Sequence, residues 1–194
     1  MGNELGDYFF HLWQEVAYLY LKWQEFIELF GNEPSTIETL NQTAPSFFHM
    51  IQKILWQDII LHIARLTDPA HTGRGKQKNF TLMQLSYLIK EEQLSQQIKS
   101  ELKQLQSKVK TIRYWRHKRI AHIDFNLMMN KHATPLPDVN KQYIEETLKM
   151  IMHIINAIEK NYTRTTTRFD LTITSNGALS MLFYLKNGLE ATRS

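Results

Sequence analysis

Apolar residues recur at helical spacing along most of this chain. Leu5, Phe9, Leu12, Val16, Leu19, Tyr20, Trp23, Ile27 and Phe30 trace one face of a long first helix, and Gly31 followed by Pro34 supplies its stop. A second helix is predicted from about Pro45-Ser46, with Phe47, Ile51, Leu55, Ile59, Ile63 and Leu66 on one face. Asp68-Pro69 ends it, because the residue before a proline resists helical backbone. Residues 68–79 are polar, basic and glycine-containing, so they read as a loop. Thr81 with Gln84 three residues on has the form of a capping box, opening a short helix through Leu82, Leu85, Leu88 and Ile89. A fourth, longer helix carries Leu94, Ile98, Leu102, Leu105, Val109 and Ile112. Residues 126–137 form a loop, after which Asp138 can cap a fifth helix bearing Val139, Tyr143, Leu148, Ile151, Ile154, Ile155 and Ile158. The tail is more ambiguous. Residues 169–174 alternate like a short strand, and residues 178–186 suit either a helix stopped by Gly188 or a return strand; the Ala, Leu and Met content favours the helix.

With 194 residues the chain is long enough to bury a real core in one domain. A hydrophobic content of 43% beside 22% charged residues excludes a disordered chain. The net charge of +4 and isoelectric point near 9.2 are compatible with a polyanionic partner without demanding one. Cysteine is absent, which excludes disulfides, a thiolate nucleophile and Cys-ligated zinc, and fits a reducing cytoplasm. Glu4, Asp7 and Glu15 interrupt the N-terminal segment, so no signal peptide is expected. No apolar run approaches the ~20 residues needed to span a bilayer. A soluble, cytoplasmic protein is therefore expected.

The chemistry concentrates at residues 116–124, Arg-His-Lys-Arg-Ile-Ala-His-Ile-Asp. At about 100° per residue, the apolar positions of the fourth helix fall in a stripe roughly 60–80° wide. The next position on that stripe is Arg116, and Arg119 lies on it too. A charge in an apolar slot must face a partner carboxylate, a subunit groove or an anionic ligand. His122 lies roughly 120° around a straight helix from Arg116. A site using both residues needs the helix to bend or end near Ile120, or a second copy of the chain to supply the other half, as a two-fold axis would.

Arg116-His117-Lys118-Arg119-Ile120-Ala121-His122 resembles the Arg-polar-(x)4-His signature of the HEPN superfamily. Taken with the upstream segment from Leu61 through Ala64-Arg65-Leu66-Thr67-Asp68-Pro69, it is similar to the AbiU2-like branch, found in phage-abortive-infection systems. The resemblance covers roughly residues 5–160. It implies an all-α, HEPN-like bundle of about five main helices, with a small C-terminal α or α+β appendage. The helical domain is expected over residues 1–162, with residues 163–194 an extension packing on it. The resemblance also implies a metal-independent endoribonuclease acting by 2′-OH transesterification, in a toxin–antitoxin or antiviral-defence setting. Arg116 and His122 become the catalytic pair, and His117 takes the polar position after the arginine. Arg119 and Asp124 are expected to support the motif, and Arg113, Lys118, Lys110 and Arg74 to meet RNA. No cofactor or metal is implied. The implied partners are RNA, a second copy of the chain and an antitoxin protein, with no membrane. Where some relatives carry a tyrosine two residues after the histidine as a target for nucleotidyl modification, this chain has Asp124, which argues against that modification here.

Plainer readings stand beside these. Arg113, Arg116, Lys118 and Arg119 also suit a solvated helix end, favoured by the negative pole of the dipole. Lys99, Lys103, Lys108 and Lys110 are either a phosphate track or a solvated face. Trp13, Trp23 and Trp56 read as core, whereas Trp115 lies close enough to the motif to stack on a base. His11, His49 and His153 read as ordinary helix residues, and His62 can join Arg65 and Asp68 in a network behind the motif. The alternatives to a nuclease are a catalytically inactive nucleic-acid or nucleotide-binding module and a helical protein-interaction domain.

Overall fold

A computed structural model describes residues 1–31, 33–73, 75–120, 129, 136–171 and 176–192. The described chain is all-α apart from one small ribbon. Its helices are α1 (Asn3–Phe30), α2 (Pro34–Thr43), α3 (Pro45–Leu66), α4 (Leu85–Leu88), α5 (Glu92–Lys108), α6 (Lys110–Trp115), α7 (Lys141–Thr163) and α8 (Ala178–Ala191). The ribbon pairs β1 (His71–Thr72) with β2 (Gln77–Lys78) in antiparallel register, His71 opposite Lys78. Gly73 and Gly75 in its loop take positive φ, which side chains with a Cβ rarely adopt. No described helix is long and apolar enough to cross a membrane.

The chain divides into two compact units, residues 1–17 with 60–169, and residues 18–59 with 170–194. In the first, the predicted stripes are the core. Leu5, Phe9, Leu12 and Val16 of α1, Ile60, Ile63 and Ala64 of α3, and Leu94, Ile98, Leu102 and Leu105 of α5 are buried, as are Ile144, Leu148, Ile151, Ile154, Ile155 and Ile158 of α7. Helices α5 and α7 pack together. Cross-links show that they run antiparallel: Lys108 pairs with Glu146, and His153 with Glu101. The Tyr143 hydroxyl also donates to the Lys108 carbonyl.

The second unit is organised by aromatic packing of Trp23 on Phe26 and of both on Trp56. Lys22 pairs with Asp58 at 2.5 Å, and Glu25 accepts the Ala178 N–H at 2.6 Å, satisfying a free donor at the start of α8. Helix α2 packs on α8. Gly31 ends α1 where a Cβ would come within 2.4 Å of the Ile27 carbonyl oxygen.

Several local expectations change. Helix α2 was not anticipated: only Leu40, Thr36 and Thr39 are buried on it, and Pro34 opens a helix instead of only ending one. Phe48, not Phe47, is the buried aromatic of α3, because Phe48 stands three whole turns before Ile59. The fourth helix is interrupted at Val109, whose ψ of 5° separates α5 from α6. Thr81 makes no capping bond; its backbone N–H donates to the Tyr8 hydroxyl, which in turn donates to the Thr81 carbonyl. Gln84 instead donates to the Ala70 carbonyl, so tertiary partners displace the capping box. Asn140, not Asp138, caps α7, accepting the Tyr143 N–H at 3.0 Å. Part of the segment expected as a strand, Phe169–Leu171, is a 3-10 turn, and α8 continues through Gly188 to Ala191.

Candidate functional site around Arg116

The site begins at the end of α3. The Thr67 hydroxyl bonds back to the Ile63 carbonyl at 2.7 Å, closing the last turn, and Pro69 prevents another. Asp68 is thus left just beyond the helix end. From α6, Arg113 donates through Nη2 to the Thr67 carbonyl, satisfying the C-terminal pole of α3. One turn later, Arg116 donates from Nη1 to both Asp68 carboxylate oxygens at 2.7 Å. The carboxylate that the misplaced charge of Arg116 called for is therefore Asp68. The pair is half-buried, with about a third or less of either side chain exposed.

The electrostatics are asymmetric. Among the described residues, two guanidinium groups face one carboxylate, so that cluster carries a net positive charge. Burial pushes the Arg113 guanidinium below its usual range; Asp68 opposes this, and the like charge of Arg116 adds to it. Arginine titrates so high that Arg113 still carries its charge at neutral pH. Among the described residues, the hydrogen bonds of Arg116 run from Nη1 alone, and Nε and Nη2 are donors of the kind that engage anions.

The backbone changes character here. Arg116–Ile120 is a π-helical turn following directly on α6. Such turns are rare, appear mostly as single turns and are frequent at functional sites. The backbone therefore departs from a regular helix within the motif, which is one of the two alternatives, beside a second copy, that the sequence left open for joining Arg116 to His122. His117 and Arg119 are exposed on this turn, and Lys118 is partly exposed. Lys110 is exposed on α6. His122, Asp124 and Arg74 lie outside the described residues.

Other sequence candidates fall elsewhere. Lys108 is taken by Glu146 and lies 4.3 Å over the Tyr143 ring, so it leaves the lysine track. Trp115 donates its indole N–H to the Pro137 carbonyl at 2.7 Å, tying α6 to the segment before α7. His62 meets Glu15 at 3.0 Å, whereas Asp68 meets Arg116. The sequence marked Asp68 as part of an upstream motif and Arg116 as a charge wanting a carboxylate. It did not join the two, because 48 residues separate them.

Searches of curated proteins and of solved structures gave no significant match. A family profile does match, that of AbiU2 in the HEPN group, over residues 2–180. Its span includes both the Asp68 segment and the Arg116 turn, the two parts that the ion pair joins, and nearly the whole helical chain. The chain belongs to the AbiU2 family of HEPN proteins.

Proposed function

We propose that this protein is a metal-independent endoribonuclease of the toxin or antiphage-defence kind, with Arg116 and His122 as its catalytic pair. The observation that carries the reading is Arg116 itself. Its guanidinium is fixed by Asp68 through one nitrogen, beside a second cationic arginine, on a π-helical turn. A preorganised donor pair of this kind suits a phosphate whose charge grows in the transition state. In the proposed reaction, His122 takes the proton of a ribose 2′-OH and the 2′-oxygen attacks the adjacent phosphorus. The bond from phosphorus to the 5′-oxygen breaks, and the leaving oxygen receives a proton. The products are a 2′,3′-cyclic phosphate and a 5′-OH. Proton transfer by a placed histidine typically contributes ~10²–10⁴-fold.

The reading includes a homodimer. The π-helical turn already departs from regular helix within the motif; the second copy is proposed because a two-fold axis gathers identical helix ends and lets one chain complete the site of the other. It also includes an antitoxin protein that restrains the nuclease. The test is incubation of the purified protein with RNA in EDTA. Cleavage by the wild type, lost in both Arg116→Ala and His122→Ala, is expected. Absence of cleavage under all conditions overturns the enzymatic reading.

One observation favours a second reading. Asp68 already neutralises part of the charge of Arg116, which suits a module that binds nucleic acid or nucleotide without turning it over. Salt-sensitive RNA binding without cleavage is its signature.

A further inference from the structure

A cleft of about 380 Å³ opens beside the Arg116 site, lined by Pro69, Ala70 and His71 from one side and by Lys99, Lys103 and Gln106 of α5 from the other, with Tyr87 at its edge. That is within the range of small-ligand sites. Its chemistry is one-sided. Lys99 and Lys103 stand one turn apart on α5, both exposed, and no lining residue is acidic. The positions three and four residues from each on that helix, Ser95, Gln96, Ser100, Leu102, Gln106 and Ser107, offer no carboxylate either. Among the described residues, two cations therefore face one concave surface with no acidic residue lining it.

The aromatic component is equally specific. Tyr87 is 70% exposed where it lines the cleft. It meets His71 in a T-shaped contact, with centroids 5.7 Å apart and planes at 85°. His71 is in turn fixed by the ribbon, opposite the exposed Lys78. An exposed tyrosine beside paired cations is the pattern that holds single-stranded nucleic acid, base on ring and phosphate on lysine. The cleft also has an address. Asp68 grips Arg116, and Ala70, two residues on, lines the cleft. Two residues span at most about 7 Å, so the cleft begins close to the guanidinium.

We propose that this cleft is a second subsite seating one nucleotide of single-stranded RNA, with its base on Tyr87 and its phosphate on Lys99 and Lys103, flanking the nucleotide held at Arg116. The proposal rests on the RNA reading above but not on catalysis. The probe is a short fluorescent 2′-O-methyl oligonucleotide, which has no free 2′-OH and cannot be cleaved by transesterification. Its binding to the wild-type protein is followed by anisotropy over a salt series. The Lys99→Ala/Lys103→Ala variant is expected to bind about tenfold more weakly, with the salt slope reduced by about 0.7 per lysine. Tyr87→Leu should also weaken binding about tenfold, with the slope unchanged, and Tyr87→Phe should restore it. All three positions are exposed, and circular dichroism checks that each variant is folded. Unchanged affinity in the lysine and Tyr87→Leu variants overturns the subsite, as does an absence of wild-type binding. Displacement of the probe by a free nucleoside monophosphate at equal concentration also overturns it, by making the cleft a mononucleotide site. Binding through the cleft by a protein that never cleaves RNA would instead defeat the nuclease reading and leave the subsite standing.

Discussion

The Asp68–Arg116 pair gives the site a direction. A lone arginine on the apolar stripe of a helix would be costly, and a fully solvated one would be poorly positioned. Asp68 resolves this by engaging Nη1 and leaving the rest of the fork unengaged among the described residues. In the proposed mechanism Asp68 is a positioning residue, and Asp68→Asn should separate its roles. Turnover is expected to fall about tenfold as the guanidinium loses its anchor. KM should stay level or fall, because a carboxylate that repels phosphate has gone. Steady-state cleavage of a fluorogenic RNA measures both; a rise in KM at unchanged kcat would contradict the assignment. The same variant should lose about 1–2 kcal/mol of stability in urea unfolding. Arg116→Lys retains the charge but not the planar fork, so cleavage should fall about 10²-fold or more with RNA affinity nearly intact.

At the scale of elements, α5 and α7 hold the site's scaffold through apolar stripes and a few polar links. Ile151→Ala, in the fully buried face of α7, should cost about 2–5 kcal/mol. Asn140→Ala should cost about 1 kcal/mol by removing the cap. Lys108 holds the Glu146 carboxyl below its usual range, and the Tyr162 hydroxyl does the same for Glu91. The stability each carboxylate contributes is in place above the ordinary glutamate value and is lost as pH falls through the lowered folded value. Melting temperatures of wild type and Glu146→Gln should therefore converge as the pH is taken from neutral down through that range. A gap that persists at the acid end would contradict the linkage.

These elements also show what the sequence could reveal. Strong 3.6-residue periodicity marked α1, α3, α5 and α7, because stripes such as Ile98-Leu102-Leu105 admit no other burial. Helix α2 escaped because it buries threonines and a single leucine, leaving almost no apolar signal. The capping box at Thr81 failed because Tyr8, 73 residues away, takes the same backbone groups. The Arg116 motif was legible by its spacing, and a bend near Ile120 was one of the two alternatives it raised; the π-helical form of that bend was not. The identity of the carboxylate, and the cleft that Tyr87 shares with Lys99 and Lys103, depend on tertiary proximity that no local pattern encodes.

For the whole molecule, family membership is compatible with the account proposed for the described site. The two sequence segments that mark the AbiU2 resemblance are held together by Asp68 and Arg116, and Pro69 and Ala70 carry the chain from there to a cationic, aromatic cleft. The proposed homodimer predicts a solution mass of twice 23.0 kDa by light scattering. A concentration-independent monomer that still cleaves RNA would remove the second copy from the mechanism. The toxin reading predicts that induced expression arrests bacterial growth for wild type but not for His122→Ala.

The central claim is that Arg116 and His122 cleave RNA through the 2′-OH. The most direct measurement is the end chemistry of RNA fragments formed in EDTA, read by mass spectrometry. The account predicts 2′,3′-cyclic phosphate and 5′-OH ends from wild type and intact RNA from Arg116→Ala. Fragments ending in 3′-OH and 5′-phosphate, or equal cleavage by Arg116→Ala, would contradict it.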